Sequence, residues 1–95
     1  MKAETSVPVH EIIATRRSPR SFNESSVLSD QDLLGILEAA RWAPSAFNGQ
    51  PWRFIVGKRG DDVFQQTLSS LSPFNQTWAK SASALLLVTA KTTKN

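Results

Sequence analysis

The sequence contains no cysteine. That one absence excludes disulfide staples, thiolate nucleophiles and zinc–thiolate centres together, and it fits a reducing, cytoplasmic setting. A single histidine, His10, stands alone, so no histidine cluster can hold a metal. Its place near the start of a predicted helix reads as surface. Long apolar runs are missing as well. The longest, Ala82 to Val88, is interrupted by Ser83 and falls far short of the ~20 residues that a membrane-spanning helix needs. Met1 to Val7 has no apolar core of signal-peptide length. Neither internal repeats nor low-complexity tracts occur.

What is present describes an ordinary small domain. Ninety-five residues allow one domain, and a chain of this size buries only roughly 60% of its unfolded surface, so its core is thin. Hydrophobic residues make up 40% and charged residues 20%, within the usual range for globular chains. The net charge is +3. The positive charge gathers in Arg16, Arg17 and Arg20, with a second, lysine-bearing tail at Lys91 and Lys94. Guanidinium groups are planar, permanently charged forks that match phosphate oxygens in pairs. Three of them in five residues suit one phosphate group. A nucleic-acid surface is the rival reading, but no aromatic or lysine interleaving extends the patch.

Pro8 suits a first helical turn, where a missing N–H costs nothing. Val9, Ile12, Ile13 and Arg16 then fall at helical spacing. This helix is expected to end near Arg17, because Pro19 disfavours helix at Ser18. Ser18 to Leu28 reads as a loop anchored by Phe22. Ser29 is a helix cap, with Asp30 and Asp32 at the positive end of the dipole. Leu33, Leu34, Ile36, Leu37, Ala39 and Ala40 form a broad apolar face, and Pro44 stops the helix after about Trp42. Trp52 to Val56 has a strand pattern, followed by a turn at Gly57 to Gly60. Asp62 with Gln65 forms a capping box for a helix turning Val63, Phe64, Thr67, Leu68 and Leu71 inward, with Pro73 as its stop. Pro73, Phe74 and Asn75 open a short helical piece that holds Trp78. Ala84 to Val88 is a strand apolar on both faces, a pattern that wants cover on each side. Two strands alone make a marginal sheet, so the chain is expected to be incomplete or completed by a partner.

The segment Ala43-Pro44-Ser45-Ala46-Phe47-Asn48-Gly49-Gln50-Pro51-Trp52 carries the most information. It packs two prolines, a serine, an asparagine and a glutamine between a capped helix and a strand. Such a loop presents hydrogen-bonding groups. With Arg16-Arg17-Ser18-Pro19-Arg20 it reads as one site for a large anionic ligand. Plainer roles stay open: Ser45 as a turn cap, Asn48-Gly49 as a tight turn, Asn75 as a helix cap, and Trp42, Trp52 and Phe54 as core.

Arg16 to Phe22, followed by Glu38 to Phe54 and then the Phe74-Asn75 pair, resembles the N-terminal half of the FMN-dependent nitroreductase family. The resemblance runs from about Val9 to Lys91, and the middle block is its most specific part. It implies an α+β fold, with helices packed on a small, mostly antiparallel sheet. It makes residues 1–95 a single, truncated N-terminal half of a nitroreductase-like domain, since family members are much longer.

The same resemblance implies an oxidoreductase that passes a hydride from NAD(P)H to FMN and then electrons to a nitroaromatic, quinone or similar acceptor. Arg16, Arg17, Ser18 and Arg20 would line the FMN pocket, with Arg16 near the phosphate and ribityl chain. Arg20 would approach the ring edge where reduction builds negative charge, and a cation there eases reduction. Pro44, Ser45, Ala46 and Asn48 would contact the same flavin from the other subunit of a homodimer, with Gln50 supporting that loop. Asn75 would hydrogen-bond the polar edge of the ring. No side chain is required as acid, base or nucleophile. Two other readings stand beside this one: a flavin-binding or dimerising remnant that does not turn over, and a basic nucleic-acid-binding domain.

Overall fold

The computed structural model of the chain describes residues 2–92; Lys94 of the basic tail lies outside them. Along the chain come α1 (Glu11–Thr15), α2 (Asp30–Arg41), a 3-10 turn (Ala46–Asn48), β1 (Trp52–Lys58), α3 (Asp62–Ser69), α4 (Pro73–Ala79) and β2 (Ala84–Ala90). The two strands pair antiparallel, with Trp52 opposite Ala90, Val56 opposite Leu86 and Lys58 opposite Ala84. This is the α+β arrangement that the resemblance implies, and among the described residues the sheet has two strands.

The centre of the packing is where α3 lies on the hairpin. Phe64 is 1% exposed and is the largest fully buried side chain among the described residues; Ala14, Leu33, Ala79 and Ala82 complete the buried set. Gly57 makes the close approach possible. It lies in β1, not in the predicted turn, and a Cβ built on it would sit 2.3 Å from the backbone nitrogen of Phe64. The turn itself is confined to Arg59 and Gly60, where Gly60 takes a φ of 99°.

Capping chemistry sets the helix boundaries. Ser29 Oγ accepts from Asp32 N–H at 3.0 Å, as the sequence predicts. For α3 the cap moves one residue upstream: Asp61, not Asp62, accepts from Phe64 N–H at 2.7 Å and also from Lys58 N–H at 2.9 Å. Asp61 thereby closes the turn and opens the helix with one carboxylate. α3 then ends at Ser69, before Pro73 acts. Ser72 caps α4, and Pro73 occupies its first turn, where its missing N–H is harmless.

The Phe64 and Lys58 amides hold the Asp61 carboxyl below the ordinary aspartate range. A folded-state pKa below the unfolded one contributes stability above the unfolded value, and that contribution is lost as pH falls through the folded value. Asp61→Asn keeps a good cap but removes the titration. Acid unfolding of this variant below about pH 4 should therefore be less pH-dependent than wild type, as read by tryptophan fluorescence; an unchanged profile would exclude Asp61 as a source of the acid sensitivity.

Helix α1 departs most from expectation. It starts at Glu11, capped by His10 Nδ1 accepting from Ile12 N–H at 3.1 Å, so Pro8 lies outside it. It closes at Thr15, because Arg16 has already turned to extended backbone. Its large apolar side chains face outward: Ile12 and Ile13 are 73% and 69% exposed, while Ala14 is buried at 2%. The N-terminal segment is tied back to this helix, with Ala3 N–H donating to Ala14 C=O at 2.8 Å. Leu34, Ile36, Leu87 and Val88 are exposed as well. The radius of gyration is 16.1 Å, against roughly 12–13 Å for a compact domain of this length. The elements are formed, and their apolar faces are open.

Candidate functional site

The arginine segment follows directly from the early end of α1. Arg16 Nη1 donates to Ser18 Oγ at 3.1 Å and to Arg17 C=O at 3.3 Å. The Arg17 and Arg20 side chains make no hydrogen bond or ion pair among the described residues, and all of Arg16 to Arg20 is exposed. The three ion pairs among those residues lie elsewhere, at Lys2–Glu11, Arg41–Glu38 and Lys58–Asp30. The segment is thus a cluster of cations that no carboxylate among the described residues pairs with.

The second segment is a strained loop. Helix α2 ends with the Trp42 and Ala43 amides bonded back to Ala39 and Ala40. Trp42 Nε1 and Arg41 Nη1 both donate to Glu38 Oε1 at 2.8 Å, and these contacts, the Trp42 one first, hold the Glu38 carboxyl below its ordinary range. Beyond exposed Pro44, Ser45 Oγ accepts from Gln50 N–H at 3.1 Å. Gln50 Nε2 donates to Asn48 Oδ1 at 3.1 Å. Arg53 Nη1 grips Gln50 C=O at 2.9 Å, a support that no sequence pattern marked. Within this ring of bonds Phe47, Asn48 and Gln50 take φ values of 53°, 55° and 47°. Non-glycine residues in that region cost about 1–3 kcal/mol each and persist only where their surroundings over-determine them. Ala46 and Asn48 face solvent, and the Phe47 side chain is fully exposed.

Asn75 belongs to a third element. Its backbone N–H reaches Ser72 Oγ at 3.4 Å, so it is not the cap of α4; Ser72 is. Its Oδ1 accepts from Trp78 Nε1 at 3.2 Å. The Trp78 ring in turn meets Phe22 at 5.9 Å between centroids. Phe22 therefore anchors its loop on Trp78 while remaining 40% exposed. Arg59 secures the far end of that loop, donating to Ser26 C=O and, at 2.8 Å, to Ser81 C=O. Leu28 N–H adds a bond to Ser83 Oγ at 2.6 Å. An open groove of about 470 Å³, lined among others by Phe22, Leu33, Ile36, Trp78 and Leu85, runs beside this junction.

The structure thus joins Asn75 to the loop that carries Arg20. It does not join the arginine segment to residues 43–50: no hydrogen bond, ion pair or ring contact connects them among the described residues. No group of three or more acidic, histidine or cysteine side chains able to hold a metal occurs among those residues. No helix among them is long and apolar enough to cross a membrane.

The nitroreductase family model matches residues 13–94. The chain belongs to the nitroreductase family. A crystal structure of an oxidoreductase containing FMN superposes with a TM-score of 0.84 at 42% identity, covering 90% of this chain and 43% of that one. The Bacillus subtilis (strain 168) nitroreductase-family relative YdgI is 39% identical over 80 residues, 84% of this chain and 37% of its own. The oxygen-insensitive NADPH nitroreductase of Helicobacter pylori (strain J99) is 35% identical over 78 residues, 82% of this chain and 36% of its own. This nitroreductase chain therefore spans well under half the length of the relatives it matches.

Proposed function

We propose that the chain supplies FMN-binding residues to a cytoplasmic NAD(P)H-dependent flavin oxidoreductase that acts as a homodimer on nitroaromatic, quinone or similar acceptors. The observation that carries this reading is the separation of two ligand-ready segments. One is a cationic stretch without a carboxylate; the other is a strained, bond-locked loop. No hydrogen bond, ion pair or ring contact joins them among the described residues, and by the family resemblance a ligand that uses both lies between two copies.

The residues fit FMN. Arg16, Arg17 and Arg20 offer unneutralised guanidinium groups for a phosphate and for an electron-rich ring edge. Ser18 keeps Arg16 turned back along the segment. Pro44, Ser45, Ala46 and Asn48 would approach the ring from the partner subunit, and Gln50 holds Asn48 in place. Asn75 would reach a polar ring edge. The chemistry that FMN supplies when bound is two-electron transfer from NAD(P)H to an acceptor. The chain's own side chains bind and orient, and a cation near the ring favours the charge that reduction develops.

A titration of the purified chain with FMN, followed by flavin fluorescence, tests this. We expect saturable binding, weakened on the order of ten- to a hundredfold in Arg20→Ala, the scale for losing a hydrogen bond to a charged group, and weakened also in Asn48→Ala. No saturable binding, or variants equal to wild type, overturns the reading. A second reading, a flavin-binding or dimerising module without turnover, is favoured by the open packing of the helices. Bound flavin with no NAD(P)H oxidation would select it.

A further inference from the structure

We propose that Ser18 is a phosphorylation site whose phosphate the chain's own arginines capture, closing the cationic segment to other anions. The argument begins with what the other hydroxyls do. Ser29, Ser45, Ser72 and Ser83 each accept from a backbone N–H and so brace the fold. Ser18 braces no backbone. It is exposed, and its Oγ has one partner among the described residues, Arg16 Nη1, from which it accepts at 3.1 Å. Its hydroxyl hydrogen is left for an incoming enzyme. The backbone is equally accessible. Helix α1 has closed at Thr15 and Arg16 is extended, Pro19 disfavours helix at Ser18, and residues 16–19 lie outside every helix and strand. Another enzyme's cleft can therefore take this segment without unfolding any element.

The modifying partner is a protein serine kinase with an acidic substrate cleft, because the serine is flanked by Arg16, Arg17 and Arg20 and opposite potentials select one another. The co-reactant is a nucleoside triphosphate. Ser18 Oγ attacks its γ-phosphorus, an O–P bond forms, the bond to the bridging oxygen breaks, the nucleoside diphosphate leaves, and the hydroxyl proton passes to the kinase's base. The product has its binding site ready. The guanidinium that would receive the phosphate already touches the oxygen that would carry it, and the Arg17 and Arg20 side chains have no partner among the described residues. A phosphoserine brings a charge of about −2 at neutral pH and three strong acceptor oxygens, which guanidinium forks match. Being tethered, that phosphate acts at an effective concentration on the order of millimolar, so it displaces free anions from the cluster. Only the identity of the displaced ligand, FMN, rests on the flavin reading above.

The test incubates the full chain with magnesium, ATP and a serine kinase chosen because it modifies the free peptide of residues 13–23. Mass mapping should place one phosphoryl group on Ser18 and none there in Ser18→Ala. In proton–nitrogen NMR spectra of the modified chain, the side-chain N–H resonances of Arg16, Arg17 and Arg20 should move. Those of Arg53, which is held by Gln50 C=O, should stay. FMN should bind the phosphorylated chain roughly a hundredfold more weakly than the unmodified one, the scale of losing two hydrogen bonds to charged groups. A chain left unmodified at Ser18 by a kinase that accepts the peptide overturns the proposal, and so does a phosphoryl group on Ser21 instead. Arginine resonances that do not move overturn the capture of the phosphate, as does a phosphorylated chain that binds FMN like the unmodified one. An unmodified chain that binds no FMN overturns the flavin reading instead, and the mapping and the arginine resonances then decide the proposal alone.

Discussion

Gly57→Ala should destabilise the chain by about 3 kcal/mol or more, at the upper end of what overpacking costs. The added Cβ would lie 2.3 Å from Phe64 N, 2.6 Å from Phe64 Cα and 2.8 Å from the Val63 carbonyl carbon. All three neighbours are backbone atoms at the start of α3, so no side chain can swing aside. Relief requires α3 to lift from the hairpin, which uncovers Phe64. Gly35→Ala is the matched control. Gly35 lies inside α2, and a Cβ added there would meet nothing within 4 Å. Alanine at that site should stabilise by roughly 0.5–1 kcal/mol through helix propensity. Urea unfolding followed by tryptophan fluorescence reads both. The same chemical change should carry opposite signs at the two sites; equal effects would refute the close approach of α3 to β1.

Phe64→Ala should cost about 3–5 kcal/mol, the range for emptying a buried aromatic site. Phe64 is the one large side chain among the described residues with almost no exposure. A small domain has only about 5–15 kcal/mol to lose, and this chain has few other buried side chains to share the load. The expected result is a chain unfolded, or nearly so, at room temperature, with α3 detached from the sheet. A midpoint shift equal to that of an exposed position such as Leu34→Ala would show that the core lies elsewhere. Phe64→Leu, which refills much of the volume, should recover most of the loss.

The two substitutions concern a scaffold whose outer surfaces remain apolar. Ile12, Ile13, Leu34, Ile36 and Val88 are all more than half exposed, and the chain is more extended than a compact domain of its length. The apolar periodicity of α1 and α2 is real. Yet the faces it defines are not covered by the other described residues. This explains why Val9, Ile12 and Ile13 follow helical spacing in the sequence and lie at the surface in the structure. A hydrophobic pattern records that a face needs cover, not which polypeptide supplies it.

By itself the sequence determined the elements that rest on local chemistry. The Ser29 cap, the stop at Pro44, the two apolar strand segments and the helical piece at Pro73 all follow from interactions within a few residues, where side-chain type decides backbone conformation. The resemblance of Arg16–Phe22 and Glu38–Phe54 to nitroreductases was legible for the same reason, since both blocks are short and rich in restrictive residues. Only the tertiary structure decided the rest. That Gly57 belongs to a strand depends on how closely α3 approaches it. That Arg59 clasps Ser26 and Ser81, and that Trp78 meets Phe22, depend on contacts between segments far apart along the chain. Such contacts leave no local signature, because their strength comes from the meeting of distant groups and not from the propensity of either.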